Sequence, residues 1–127
     1  PQNLSLNEMF MVANSYPVGS REFVEVFEIA VRMYPENDVA NINAAAAALS
    51  QGNLVAAERY LNRLTVKNVQ SEYDNAMGVL ALLKEEYDTA ENYLNTAARS
   101  GLEAAKNNLK ELEKKRINIV EIENKMR

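Results

Sequence analysis

The chain has 127 residues, with 14 Lys and Arg against 18 Asp and Glu for a net charge of −4; 47% of residues are apolar and 25% are charged. This is one domain's length, and it is too apolar for a disordered chain. With neither Cys nor His, it has no disulfide, no thiolate or imidazole metal ligand, no cysteine nucleophile, no Ser-His-Asp triad and no histidine switch near neutral pH.

Seventeen Ala stand against four Gly and three Pro, so the stretches between the breakers read as helices. In chain order, a first helix is expected over 4–14, then a turn through Tyr16, Pro17 and Gly19. A second helix follows over 21–33 and is ended by Tyr34-Pro35. Asn37 and Asn53 stand where caps belong, and Asp38 can cap a third helix running to Ser50. Gly52 suits the left-handed stop of that helix. A fourth helix runs from there to about Leu64. Ser71-Glu72-Tyr73-Asp74 reads as the capping segment of a fifth, which runs to about Lys84. A tight turn at Glu85-Glu86 leads into a sixth helix ending near Arg99. From Gly101 a last helix begins, with Leu102, Ala105, Leu109 and Leu112 inward. Residues 117–122 admit three readings: a strand, a helix end packing back, or a partner-docking segment. Helix to about residue 122 is the expectation.

A repeat underlies this order. Ala57-Glu58-Arg59-Tyr60-Leu61-Asn62 recurs further along as Ala90-Glu91-Asn92-Tyr93-Leu94-Asn95. The flanking positions keep the same phase: Ala45 with Gly78, Ala48 with Ala81, and Leu54 with Tyr87. A similar step back along the chain gives a third set. Phe23/Phe27/Ala30, Ala57/Leu61/Leu64 and Ala90/Leu94/Ala97 each have the i, i+4, i+7 spacing of one helical face. The expected fold is all-α: an α-α superhelix of about three helix pairs and a C-terminal capping helix. It forms a single domain over 1–127, with repeats at about 4–37, 38–70 and 71–100, and an end helix and tail over 101–127.

These motifs resemble the tetratricopeptide repeat (TPR) family. Its second helix carries a small residue, a large apolar residue four on, and a small one three further, often followed by Pro. Ala90/Leu94/Ala97 fits throughout, whereas Leu64 and Phe23 depart from the small positions. Ala45 and Gly78 occupy the helix-crossing place, and Met11 does not suit it. The resemblance implies that first helices line a concave surface that binds a protein or peptide. In this register Glu8 and Val12 fall there, then Val39, Ile42, Asn43, Ala46 and Leu49, then Glu72, Asn75, Val79 and Leu82. The candidate partner-binding residues are Val39, Ile42, Asn43, Asn75, Val79 and Leu82; the end helix could cover some of them. TPR domains that hold a terminal carboxylate use a clamp of Lys, Asn and Arg. The clamp places fall here on Glu8, Val12, Asn43, Glu72 and Ala76, and only Asn43 matches. The groove should therefore prefer an apolar or basic segment.

The segment from Leu6 to Pro35 also resembles C-terminal helical regions of Bacteroidetes cell-envelope proteins that occur with outer-membrane and fimbrial components. That resemblance implies a periplasmic or envelope setting and a larger parent protein. A start at Pro1 rather than Met likewise leads us to expect a processed product or an excised piece.

Other chemistries are weakly represented. Glu36 with Asp38, and Glu85-Glu86 with Asp88, sit at helix boundaries, where acids serve the dipole and solvation. No catalytic residue, cofactor or metal site is expected, and no calcium loop pattern occurs. The longest apolar run, residues 44–49, is far short of the roughly 20 residues needed to span a bilayer. Residues 103–127 carry seven basic and five acidic residues on an otherwise acidic chain, too narrow a basic face for nucleic acid. The leading function is a non-enzymatic, monomeric protein-interaction module. The alternative is a structural helical domain of an envelope protein with no peptide ligand of its own.

Overall fold

In the computed structural model, residues 5–65 and 68–127 are described. They contain seven α-helices and no strand: α1 (Leu6–Asn14), α2 (Arg21–Met33), α3 (Asp38–Ser50), α4 (Leu54–Asn62), α5 (Gln70–Leu83), α6 (Tyr87–Arg99) and α7 (Glu103–Lys125). They fall into two compact units, residues 1–69 and 70–127. The expected start of the first helix and repeat at Leu4 lies outside the described residues; α1 begins at Leu6.

In the first unit α1 packs on α2, α2 on α3, and α3 on α4. Phe23 and Phe27 are almost fully buried and Ala30 fully so, together with Met9, Ala13, Val31, Ala40, Ala44 and Ala47. The Phe23 and Phe27 rings lie 4.7 Å apart, and Phe10 stacks on Phe27 at 5.6 Å. Aromatic pairs at such spacing add to the apolar burial. Eight of the thirteen residues of α3 are buried, because alanine side chains let neighbouring helices approach it on several sides.

Asp38 does not cap α3, against expectation. The side chain that caps α3 is Asn37, which accepts from Ala40 N–H at 2.9 Å. Asp38 instead reaches across to the end of α4, where its carboxylate accepts from both the backbone N–H and the hydroxyl of Thr65. Met11 is 74% exposed, and Met9 and Ala13 make the helix contact. The link joining α1 to α2 (15–20) is twice as long as the link joining α3 to α4 (51–53). That difference shifts the phase of α1 against the first helices of the later repeats.

In the second unit α5 packs on α6, and α7 packs on α6 and, more lightly, on α5. Ala90, Leu94 and Ala97 are fully buried. Leu94 clusters with Ala81, Leu82, Ala90 and Leu112. Ser71, Glu72, Tyr73 and Asp74 lie inside α5 rather than before it, because Gln70 opens the helix. The Gln70 side-chain amide donates to the buried Asp74 carboxylate at 3.1 Å. Residues 117–122 are helical, and α7 continues past the expected end to Lys125.

The three helix stops share one geometry. Asn53 N–H bonds Ala48 C=O with Gly52 at φ 70; Glu86 N–H bonds Ala81 C=O with Glu85 at φ 63; Leu102 N–H bonds Ala97 C=O with Gly101 at φ 97. Each is the six-to-one closure that satisfies carbonyls left free at a helix end. Glu85 occupies the place of Gly52 one repeat later, and it holds the left-handed conformation without being glycine.

Candidate functional site

The burial of α3 leaves one narrow accessible stripe. Val39 is 40% exposed, Asn43 and Ala46 are half-buried, and Ser50 is exposed. Their i, i+4, i+7, i+11 spacing makes a single face. Ile42 and Leu49, expected on the same face, are buried at its flank, each 8% exposed. The Asn43 side-chain amide donates to Val39 C=O one turn back at 2.9 Å. Its side-chain oxygen remains able to accept from a partner's backbone N–H. On α1, Glu8 and Val12 are exposed. Glu8 closes a capping box with Ser5, accepting from Ser5 N–H while Ser5 Oγ accepts from Glu8 N–H. The hydrogen bonds from Ser5 hold its carboxyl below the usual carboxylate range.

In the second unit the matching helix is α5, and α7 occupies part of its expected face. Asn75 Oδ1 accepts from Asn108 Nδ2 at 2.9 Å. Leu82 is buried in the cluster containing Leu112. Val79 is half-buried. Glu72, Val79 and Leu83 form the stripe left open, with Leu83 45% exposed. They are the counterparts, one repeat later, of Val39, Ala46 and Ser50. Ser50 and Leu83 were not anticipated, although a further i+4 step along the helix pointed to both.

Arg116 and the half-buried tyrosines serve packing. Arg116 donates to Asp88 at 2.9 Å and lies near Glu91, with its guanidinium 6.0 Å from the Tyr87 ring centroid. It thereby fastens α7 to the start of α6. Burial pushes the Tyr73 phenol upward, assisted by Tyr93 and Asp74. Tyr60, Tyr73, Tyr87 and Tyr93 are each half-buried. Among the described residues no cluster of three or more acids could hold a metal ion, and no helix is long and apolar enough to cross a membrane.

A protein-family model described as tetratricopeptide repeat matches residues 24–80. The match begins inside α2 and ends inside α5, and it takes in the Ala45–Gly78 phase of the sequence. No curated protein and no solved structure matches the chain.

Proposed function

We propose, from the premise that residues 24–80 are a tetratricopeptide-repeat segment, that the chain is a non-enzymatic module that binds a protein or peptide through the first helices of its repeats. Such repeats suggest protein–protein interaction, and their helix pairs bury one face by stacking while leaving another open. The observation that carries the reading is the stripe Val39–Asn43–Ala46–Ser50, an accessible line on a helix that is otherwise mostly buried. Its chemistry is apolar with one amide. Val39 and Ala46 offer side-chain contact, and Asn43 offers a backbone hydrogen bond. In the second unit Glu72, Val79 and Leu83 extend the proposal, with Asn75 and Leu82 acting through the support α7 gives them.

The ligand is not a terminal carboxylate held by charge. Glu72 stands where a cation would be required, and charge-assisted hydrogen bonds need fixed donors. Peptides selected on the folded chain from a random library should lose binding with Val39→Asp and Asn43→Arg and keep it with Asn107→Ala. Amidating their C-termini should leave affinity unchanged. Selected peptides indifferent to both stripe substitutions would refute the site.

A single cooperative domain over residues 1–127 belongs to the same proposal, with one unfolding transition as its expected signature. So does a larger envelope parent, which rests on the resemblance of residues 6–35. Fractionation of cells with an antibody to this chain tests the envelope setting.

A further inference from the structure

A second surface lies on the other side of α3. Both α2 and α4 pack on α3 but not on each other. The slot between them, about 250 Å³, has Ala44, Ala47 and Ala48 as its floor, with Val24 of α2 and Val55 and Ala56 of α4 at its sides. Single methyl groups on α3 do not fill the gap between its two neighbours, so it remains open. Val55 is 70% exposed at its rim.

The slot leads into a second cavity of about 420 Å³ lined by Arg32, Arg59 and Arg63, with Tyr60 and Glu28. Arg59, Tyr60 and Glu28 line both. Three of the four arginines among residues 5–65 therefore converge at one mouth on a chain of net charge −4. All three are exposed, and among the described residues none has an ion pair. Arg63 lies over the Tyr60 ring, 5.8 Å from its centroid. Glu28 is the one acid lining the mouth. Arginine offers a planar fork of donors suited to carboxylates.

We infer that this groove is a second protein-binding site, which takes an acidic segment of a partner protein with short apolar side chains in the alanine-floored slot and carboxylates on Arg32, Arg59 and Arg63. The local charge is opposite to that of the ligand, whereas the α3 stripe carries no charge. The slot adds Gln51 and Asn53 to its alanine floor and valine sides, a mixed lining that suits short side chains and the backbone of a peptide, whereas a nucleic acid's phosphates would use the arginines and leave the alanine floor empty. Because the groove shares no residue with the stripe Val39–Asn43–Ala46–Ser50, it stands whether or not that stripe binds anything.

The test is fluorescence anisotropy with a short fluorescein-labelled peptide alternating Glu and Val, its Gln-and-Val counterpart, and a labelled single-stranded oligonucleotide. The acidic peptide should bind, weaken with added salt, and perturb amide NMR signals along α2 and α4. Arg59→Glu combined with Arg63→Glu should weaken it at least about tenfold, as loss of close charge pairs does at interfaces. Arg21→Glu, at the far end of α2 and paired with Glu25, should change affinity little despite the same change in charge per site. Circular dichroism checks that each variant remains helical. Equal binding of the Gln-and-Val peptide, equal damage from Arg21→Glu, signal changes confined to α1 and the α3 stripe, or an oligonucleotide that binds while the peptide does not would each overturn the inference.

Discussion

Gly78 and Leu94 meet so closely that a methyl group at residue 78 would lie 2.6 Å from Leu94 Cγ and Cδ2 and 3.3 Å from the Leu94 backbone nitrogen. Leu94 is fully buried, so its side chain has nowhere to retreat. The absence of a Cβ at 78 sets how near α5 and α6 can come.

Gly78→Ala should therefore destabilise the protein by about 1–2 kcal/mol. Overpacking costs roughly 1–3 kcal/mol, and the better helix propensity of alanine returns up to about 1 kcal/mol. Leu94→Ala alone should cost roughly 2–5 kcal/mol through the cavity it leaves. In that background Gly78→Ala should become neutral or stabilising. Urea melts of the four proteins measure the coupling. Additive effects would show that the two residues do not share the contact.

Glu85→Gly should stabilise the protein by about 0.5–1 kcal/mol, because a left-handed residue with a Cβ pays a steric penalty that glycine does not. The converse change, Gly52→Ala, should cost a similar amount, and nothing lies within 4 Å of the added methyl to complicate it. Chemical denaturation of both variants gives the answer.

Acid should loosen α1 through its cap. The Glu8 carboxyl is held low by Ser5, so its contribution is present above the ordinary carboxylate range and is lost as pH falls through the folded value. Amide exchange at the start of α1 should quicken over that interval. With Glu8→Gln, which can still complete a capping box, protection there should become flat with pH.

Asn41 is fully buried, and its amide donates to Pro35 C=O and Asn37 C=O, each at 2.9 Å. Asn41→Asp should turn both bonds into repulsions and bury a charge, costing roughly 3 kcal/mol or more at neutral pH. The new acid should have a raised pKa in the folded state, so the loss should shrink as pH falls from that raised value towards about 4, the ordinary Asp value, and level off below it. Thermal melts at acidic and neutral pH test the sign.

The faces that pack were legible because they recur. Phe23/Phe27/Ala30 and Ala90/Leu94/Ala97 lie almost wholly out of solvent, as spacing alone required, whereas Leu64 is only half-buried. What the sequence hid depends on length and choice. The longer link before α2 shifts the phase of α1, so Met11, which did not suit the helix crossing, is exposed and Met9 and Ala13 make the contact. Asn37 and Asp38 can both cap, and only the reach of Asp38 to Thr65 separates their roles. Polar residues 71–74 imitate a cap because Asp74 is an unusual buried acid. The alternation in residues 117–122 imitates a strand, yet the helix simply continues. Which part of α5 the end helix would cover was open in the sequence; Asn108 on Asn75 answers it. The arginine mouth was invisible, since Arg32 and the pair Arg59 and Arg63 are brought together by the folding of α2 and α4 over α3.

The matched helix stops at Gly52 and Glu85 also bear on how such a chain can lengthen. Both close with the same six-to-one hydrogen bond and hand the backbone to the next helix in the same conformation. A genetic crossover joining Glu85 to a second copy of Asn53 would insert one further repeat at a seam whose local chemistry the protein already uses twice. The joint would demand no new turn and no change of helical phase. The stops are thus natural points of duplication and deletion, where the number of repeats can change while each repeat keeps its own packing.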